Sequence, residues 1–274
     1  MLVCEALWVA MNGLIKELSE SYPPLQLLFF RNVLSIPLLY YLVWMTGGHQ
    51  VLKTNRPFMH LIHSLIGSIG MICLIIAISK LTLSETVTIT YAAPLFITIF
   101  SVPFLGEKVG LRRWLAVVVG FVGVLIVARP DVEFNPLVFL GIFATFCFSI
   151  TVIIKRILSR TENSATLTLY FCITGTVVGA IGMLPNWVEP RTVDWGILII
   201  MSLIAALVQI TLTMAIKETP VSILSPLLYL SLVAAVIIDI IFWGVFPATE
   251  TVVGAGIIIF AGLFIIYRER KNKL

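Results

Sequence analysis

The sequence predicts an all-α membrane protein with ten transmembrane helices arranged as two inverted five-helix repeats. Composition comes first: 59% of residues are hydrophobic and 12% charged, with a mean hydropathy of +1.08, whereas about a quarter of the residues of soluble domains are charged. Next comes spacing, because apolar runs near the roughly 20 residues needed to span a bilayer alternate with short loops holding most of the charge. The last observation is a returning stretch. Residues 84–130 form an apolar run with Pro94 inside, a short basic hinge, and a glycine-spaced run ending at Arg129. A weaker copy spans 218–270, with Phe104-Leu105-Gly106 falling on Phe242-Trp243-Gly244. A period of roughly 138 residues divides the chain into a first repeat, 1–130, and a second, 135–274.

The spans are placed at 1–18, 24–46, 58–79, 83–104, 111–128, 136–157, 166–184, 195–216, 221–245 and 251–267, with Pro, Gly and Asn punctuating the connections. The first apolar run lacks a basic flank and a small-residue cleavage site, and it is read as a span rather than a signal peptide. Alternate loops carry thirteen Lys and Arg residues on one side and four on the other. By the positive-inside rule this bias puts both termini in the cytoplasm. Five spans per repeat is an odd number, so the second repeat enters from the opposite side of the membrane. Inverted repeats of this kind underlie alternating access in secondary transporters.

The net charge of +4 is spread between apolar runs and forms no continuous basic patch, which excludes a nucleic-acid partner. The expected partners are a small organic solute and the lipid bilayer, with the protein acting as a monomer or homodimer. Cys4, Cys73, Cys147 and Cys172 stand singly, without metal or CxxC spacing, and read as packing residues. Glycines at close spacing, including Gly175, Gly179 and Gly182, read as helix contacts, with a dimer face as the second reading. No phosphate-cradling GxxxxGK[ST] loop is present. A membrane-embedded enzyme would need a cluster of acids, bases or metal ligands. The carboxylates instead lie mostly in loops or near span ends, so no catalytic residue, metal site or cofactor is expected.

Ionisable groups at membrane depth are costly, by about 2.5–3.5 kcal/mol on insertion scales, and are functional candidates for that reason. Arg31 in the second span and Asp239 late in the ninth reach similar depths. They are assigned to coupling, as a pair or in one shared cavity; the alternative for Arg31 is a lock between neighbouring helices. Asn12, Arg31, Tyr91, Gln209 and Tyr229 are expected to line a substrate cavity that is polar, nearly uncharged and aromatic-walled, because buried amides and phenols need partners. Pro94, near the middle of the fourth span, frees a backbone carbonyl and is assigned to gating, with a static kink as the alternative. Glu5 and His63 read more simply as a water-facing group and a packing histidine.

Several of these residues also carry a family resemblance. Trp8, Asn12 and Lys16, then Pro23-Pro24, Phe30-Arg31, Ala93-Pro94-Leu95 and Phe104-Leu105-Gly106-Glu107, in this order and spacing, resemble the EamA type of the drug/metabolite transporter superfamily. The resemblance covers essentially the whole chain. It implies a ten-helix bundle with the fifth and tenth spans at its periphery, and solute movement across a bacterial inner membrane without a cofactor. Within the family, Thr54 to Phe58 and Ser225 to Val233 are similar to the branch containing S-adenosylmethionine uptake permeases. This implies a small metabolite taken up by alternating access; export of amino acids, metabolites or drugs is the alternative.

Overall fold

The computed structural model describes residues 2–48, 52–105, 110–128, 136–218 and 235–271, and among these residues there is helix and no strand. The helices are α1 (Leu2–Leu18), α2 (Pro24–Val33), α3 (Ile36–Gly47), α4 (Pro57–Lys80), α5 (Leu83–Thr90), α6 (Ala93–Leu105), α7 (Leu111–Ala128), α8 (Pro136–Leu158), α9 (Ser164–Met183), α10 (Asp194–Glu218) and α11 (Thr249–Lys271). A π-helical turn, Asp239–Trp243, precedes α11 and ends at Gly244, whose φ of 64° is the left-handed conformation that glycine adopts without strain. Among the described residues, six segments are long and apolar enough to cross a membrane: Pro24–Met45, Pro57–Lys80, Leu83–Phe100, Pro136–Leu158, Ser164–Asn186 and Asp194–Ala215.

Outward-facing side chains carry the same message. Phe58, Leu61, Leu65 and Ile69 on α4, and Leu111, Leu115, Val118, Val122 and Leu125 on α7, are exposed at helical spacing. Continuous apolar stripes like these would be aggregation liabilities in water. In hydrocarbon they face their natural solvent.

Two expected spans are each built from two helices, and proline explains both breaks. Pro37 and Pro94 stand four residues beyond Val33 and Thr90, the last residues of α2 and α5. A proline has no N–H for the carbonyl four residues back, and its ring crowds that carbonyl. The chain therefore opens at Leu34–Ser35 and at Tyr91–Ala92. At the first opening the Ser35 hydroxyl lies 2.6 Å from the carbonyls of both Arg31 and Ser202, and the Ser202 hydroxyl lies 3.0 Å from the carbonyl of Phe30. These bonds tie the break to α10.

The bundle is assembled from helix pairs that join the two parts of the sequence: α1 on α10, α2 on α9, α4 on α8 and α7 on α11. Met11, Ile15, Leu27, Leu28 and Ile75 pack with Leu198 and Met201, while Val9, Leu83, Val87 and Leu95 pack with Ala235 and Ile258. Small residues set the closest approaches. A Cβ added at Gly179 would lie 2.8 Å from the backbone N and Cα of Phe29, so α9 meets α2 backbone to backbone. Gly179→Ala is expected to cost about 1–3 kcal/mol as an overpacking change. At exposed Gly256 an added Cβ meets nothing within 4 Å among the described residues, and Gly256→Ala should gain up to about 1 kcal/mol of helix propensity. Thermal midpoints of the two variants in detergent check the contrast; equal midpoints would mean that α2 and α9 can move apart freely.

Candidate functional site

A cavity lies where both parts of the chain meet, encompassing about 1120 Å³ of atom-free space, part of it open to solvent. Each wall is one stripe of a helix. On α1 it is Cys4, Glu5, Trp8 and Met11; on α4 it is His63, Gly67, Gly70, Met71 and Leu74. Opposite, α8 contributes Ala144, Thr145, Phe148, Thr151 and Lys155, and α10 contributes Val208, Gln209 and Leu212. These positions recur at intervals of three and four, which places them on one helical face. Arg31 enters from α2 and Phe171 from α9.

The break at Tyr91–Ala92 also opens onto this space, with Thr90, Tyr91 and Ala93 in the wall. The proline that ends α5 thus places Tyr91 there.

Arg31, Tyr91 and Gln209 are brought together in the lining of this cavity. Asn12 lies one turn beyond Trp8 on α1 and is buried outside the lining, with neither amide atom hydrogen-bonded among the described residues. Pro94 is the second residue of α6. Tyr229 lies outside the described residues.

Asp239 is elsewhere, and the structure does not bring it to Arg31. Its carboxylate is completely buried and accepts from the N–H groups of Leu83 (3.1 Å) and Ser84 (2.6 Å), the first two residues of α5. A helix N-terminus presents unpaired N–H groups and a positive dipole end. Thr82 and Glu85 form a reciprocal capping box there, and Asp239 takes up the two remaining donors. Lys16 completes the cluster, 3.6 Å from Asp239 Oδ1 and 4.6 Å from the centre of the Trp243 ring.

The expectation of a nearly uncharged cavity is corrected. Arg31 and Lys155 are 3% and 6% exposed, and both line it, together with Glu5 and His63. Lys155 Nζ donates to Gln209 Oε1 at 3.0 Å. Counted by position, Lys155 joins Arg156 and Arg160 among the thirteen basic residues of one loop set, although the span placed at 136–157 reaches past it. The signal missed is the stripe through residues 144, 145, 148, 151 and 155, which carries Lys155 inward one helical position before Arg156. Among the described residues, no cluster of three or more His, Cys, Asp or Glu could hold a metal ion.

Two further polar clusters among the described residues join the parts of the chain at helix ends. In one, the Tyr22 hydroxyl donates to Asp194 Oδ2 at 2.5 Å, Arg191 Nε donates to the same oxygen at 2.7 Å, and Gln26 exchanges hydrogen bonds with the backbone of Val188. The bonds to Asp194 hold the exposed Arg191 guanidinium still further toward its charged form. In the other, the Thr54 hydroxyl donates to Glu162 Oε1 at 2.8 Å, His60 Nε2 lies 3.9 Å from Glu162 Oε2, and the Tyr170 hydroxyl donates to the carbonyl of Leu52.

Comparison with known sequences decides the class of protein. The sequence model of the EamA-like transporter family matches residues 1–129 and 135–268. The chain belongs to this family. As an EamA-like transporter it is similar to the S-adenosylmethionine uptake transporter of Rickettsia bellii, at 31% identity over 89% of this chain and 82% of that one. It is also similar to the pseudopaline exporter CntI of Pseudomonas aeruginosa, at 26% identity over 96% and 92% of the two chains. A solved crystal structure matches with a TM-score of 0.72 at 16% identity, covering 100% of this transporter and 98% of the other chain, a likeness of fold alone. These relatives point to a transporter of a small-molecule solute in a bacterial membrane rather than an enzyme.

Proposed function

We propose that this protein is a secondary transporter that moves a small organic metabolite through the described cavity by alternating access. The observation that carries the reading is the cavity itself: charged and aromatic, and walled by α1, α2 and α4 on one side and by α8 and α10 on the other. In this account residues 1–130 and 135–274 are inverted five-span repeats. With α2–α3 and α5–α6 each counted as one span, exchanging the repeats turns the contact of α1 with α10 into that of α8 with α4. It turns α2 on α10 into α9 on α4, and α2 on α4 into α9 on α10, while α2 on α9 and α7 on α11 map onto themselves. The turns at Ser19 and Ser159 support the same relation: each hydroxyl bonds the carbonyl three residues back, in Lys16 and Arg156.

The basic bias of alternate loops supports cytoplasmic termini. Uptake of S-adenosylmethionine or a similar metabolite is the favoured activity, on the likeness to the Rickettsia bellii transporter; the likeness to CntI supports efflux as the second reading. Arg31 acts at the solute, and Asp239 with Lys16 acts as a separate clamp on α5. Asn12 borders the cavity, Tyr229 contributes from the ninth span, and the opening before Pro94 is the gate. The protein works as a monomer or homodimer. Uptake of labelled S-adenosylmethionine and an amino-acid panel into proteoliposomes, with and without a pH gradient, tests this. Gradient-dependent accumulation of one compound is the expected result; movement in neither direction, by protein shown to be folded, would remove the reading.

A further inference from the structure

We propose that Arg31 and Lys155 form an oxyanion seat, so that the solute is an amphipathic organic molecule bound through a carboxylate. The inference rests on reading the cavity as a solute site. Both cations are more than nine-tenths buried and both face the cavity. Nε and Nη1 of Arg31 have no hydrogen-bond partner among the described residues, and Lys155 donates to the neutral amide of Gln209.

Three buried carboxylates are engaged away from the cavity: Asp239 with Lys16, Glu162 with His60, and Asp194 with Arg191. Residues 219–234, which complete the sequence of the ninth span, contain no Asp or Glu. Two fixed cations therefore share the cavity with one lining carboxylate, Glu5. A buried guanidinium held only for structure would be expected to have a local counter-ion, because an unpaired charge in a dry setting is strongly disfavoured. A bound carboxylate supplies that charge, and Arg accepts it with two parallel N–H donors. The rest of the wall selects what carries the carboxylate: Trp8, Tyr91, Phe148 and Phe171 offer ring faces and edges to an apolar or aromatic body.

The test is ligand-induced thermal stabilisation of the purified full chain in nanodiscs, with matched pairs of probes: methionine and methioninamide, tryptophan and tryptophanamide, and S-adenosylmethionine and its decarboxylated amine. At least one acid is expected to bind, and its neutral or decarboxylated counterpart to bind at least tenfold more weakly. Arg31→Gln and Lys155→Gln should each abolish the preference for the acid. Arg31→Met should leave the midpoint without ligand unchanged or raised, which a helix-locking arginine would not permit. Equal binding of acid and counterpart, binding by none of the acids, or retained preference in Arg31→Gln would overturn the proposal. Acid-selective binding without vesicle transport would leave the seat standing and remove the carrier reading. Transport of the amines alone would do the opposite.

Discussion

Asp239→Ala is expected to cost the fold about 3–5 kcal/mol, the range for removing one partner of a buried ion pair. The substitution takes the counter-ion from Lys16, whose side chain is 16% exposed, and leaves the Leu83 and Ser84 N–H groups without their acceptor. Each loss acts on the start of α5, the helix whose far end opens into the cavity. Asp239→Asn keeps an acceptor oxygen but not the charge, and should lose less, about 1–3 kcal/mol. Thermal midpoints in detergent rank the three proteins. If Asp239→Ala melts within error of wild type, the cluster is not what positions α5.

The second large effect is at Gln209. Gln209→Glu places a carboxylate 3.0 Å from Lys155 Nζ, where a neutral amide oxygen now stands. The new acid pairs with Lys155 and removes the positive excess of the cavity. A protein whose seat is filled from within should bind a carboxylate solute more weakly by about 2–5 kcal/mol, the cost of taking a partner from a buried charge pair, while its midpoint without ligand rises. Gln209→Leu leaves Lys155 without its hydrogen-bond partner and should instead lower that midpoint by about 1.5–3 kcal/mol of stability. Binding by Gln209→Glu as tight as wild type would place the solute away from Lys155.

The all-helical membrane class and the limits of most helices were legible in the sequence because each run of apolar residues ends at a proline, glycine or charge. The start of α2 at Pro24 and both ends of α7, Leu111 and Ala128, fall where the residues place them. The breaks after Val33 and Thr90 were less legible. Proline in an apolar run signals weakness, but whether the chain bends or opens depends on the tertiary contacts at the break, and at the first break those come from Ser202, far along the sequence.

Arg31, Tyr91 and Gln209 could be picked out singly as polar residues in apolar spans, and the structure brings them to one cavity. Lys155 was hidden by its neighbours. Beside Arg156 and near a helix end it reads as a loop charge, and only the phase of α8, counted from Ala144, turns it inward. For Asp239 the depth in its span was readable but its partner was not. Lys16 and the N-terminus of α5 belong to elements whose contact is set by packing.

The most direct test of solute passage between two moving parts is to fasten one of the polar clusters that join them. Arg191 Nη2 donates to the Ser21 hydroxyl at 3.3 Å, and both residues are exposed. Ser21→Cys combined with Arg191→Cys, joined by a short bifunctional thiol reagent in proteoliposomes, would hold the turn after α1 to the loop before α10. The account predicts that transport stops when the link forms and returns when it is reduced, with wild type and each single variant unaffected by the reagent. Undiminished transport by fully cross-linked protein would contradict it.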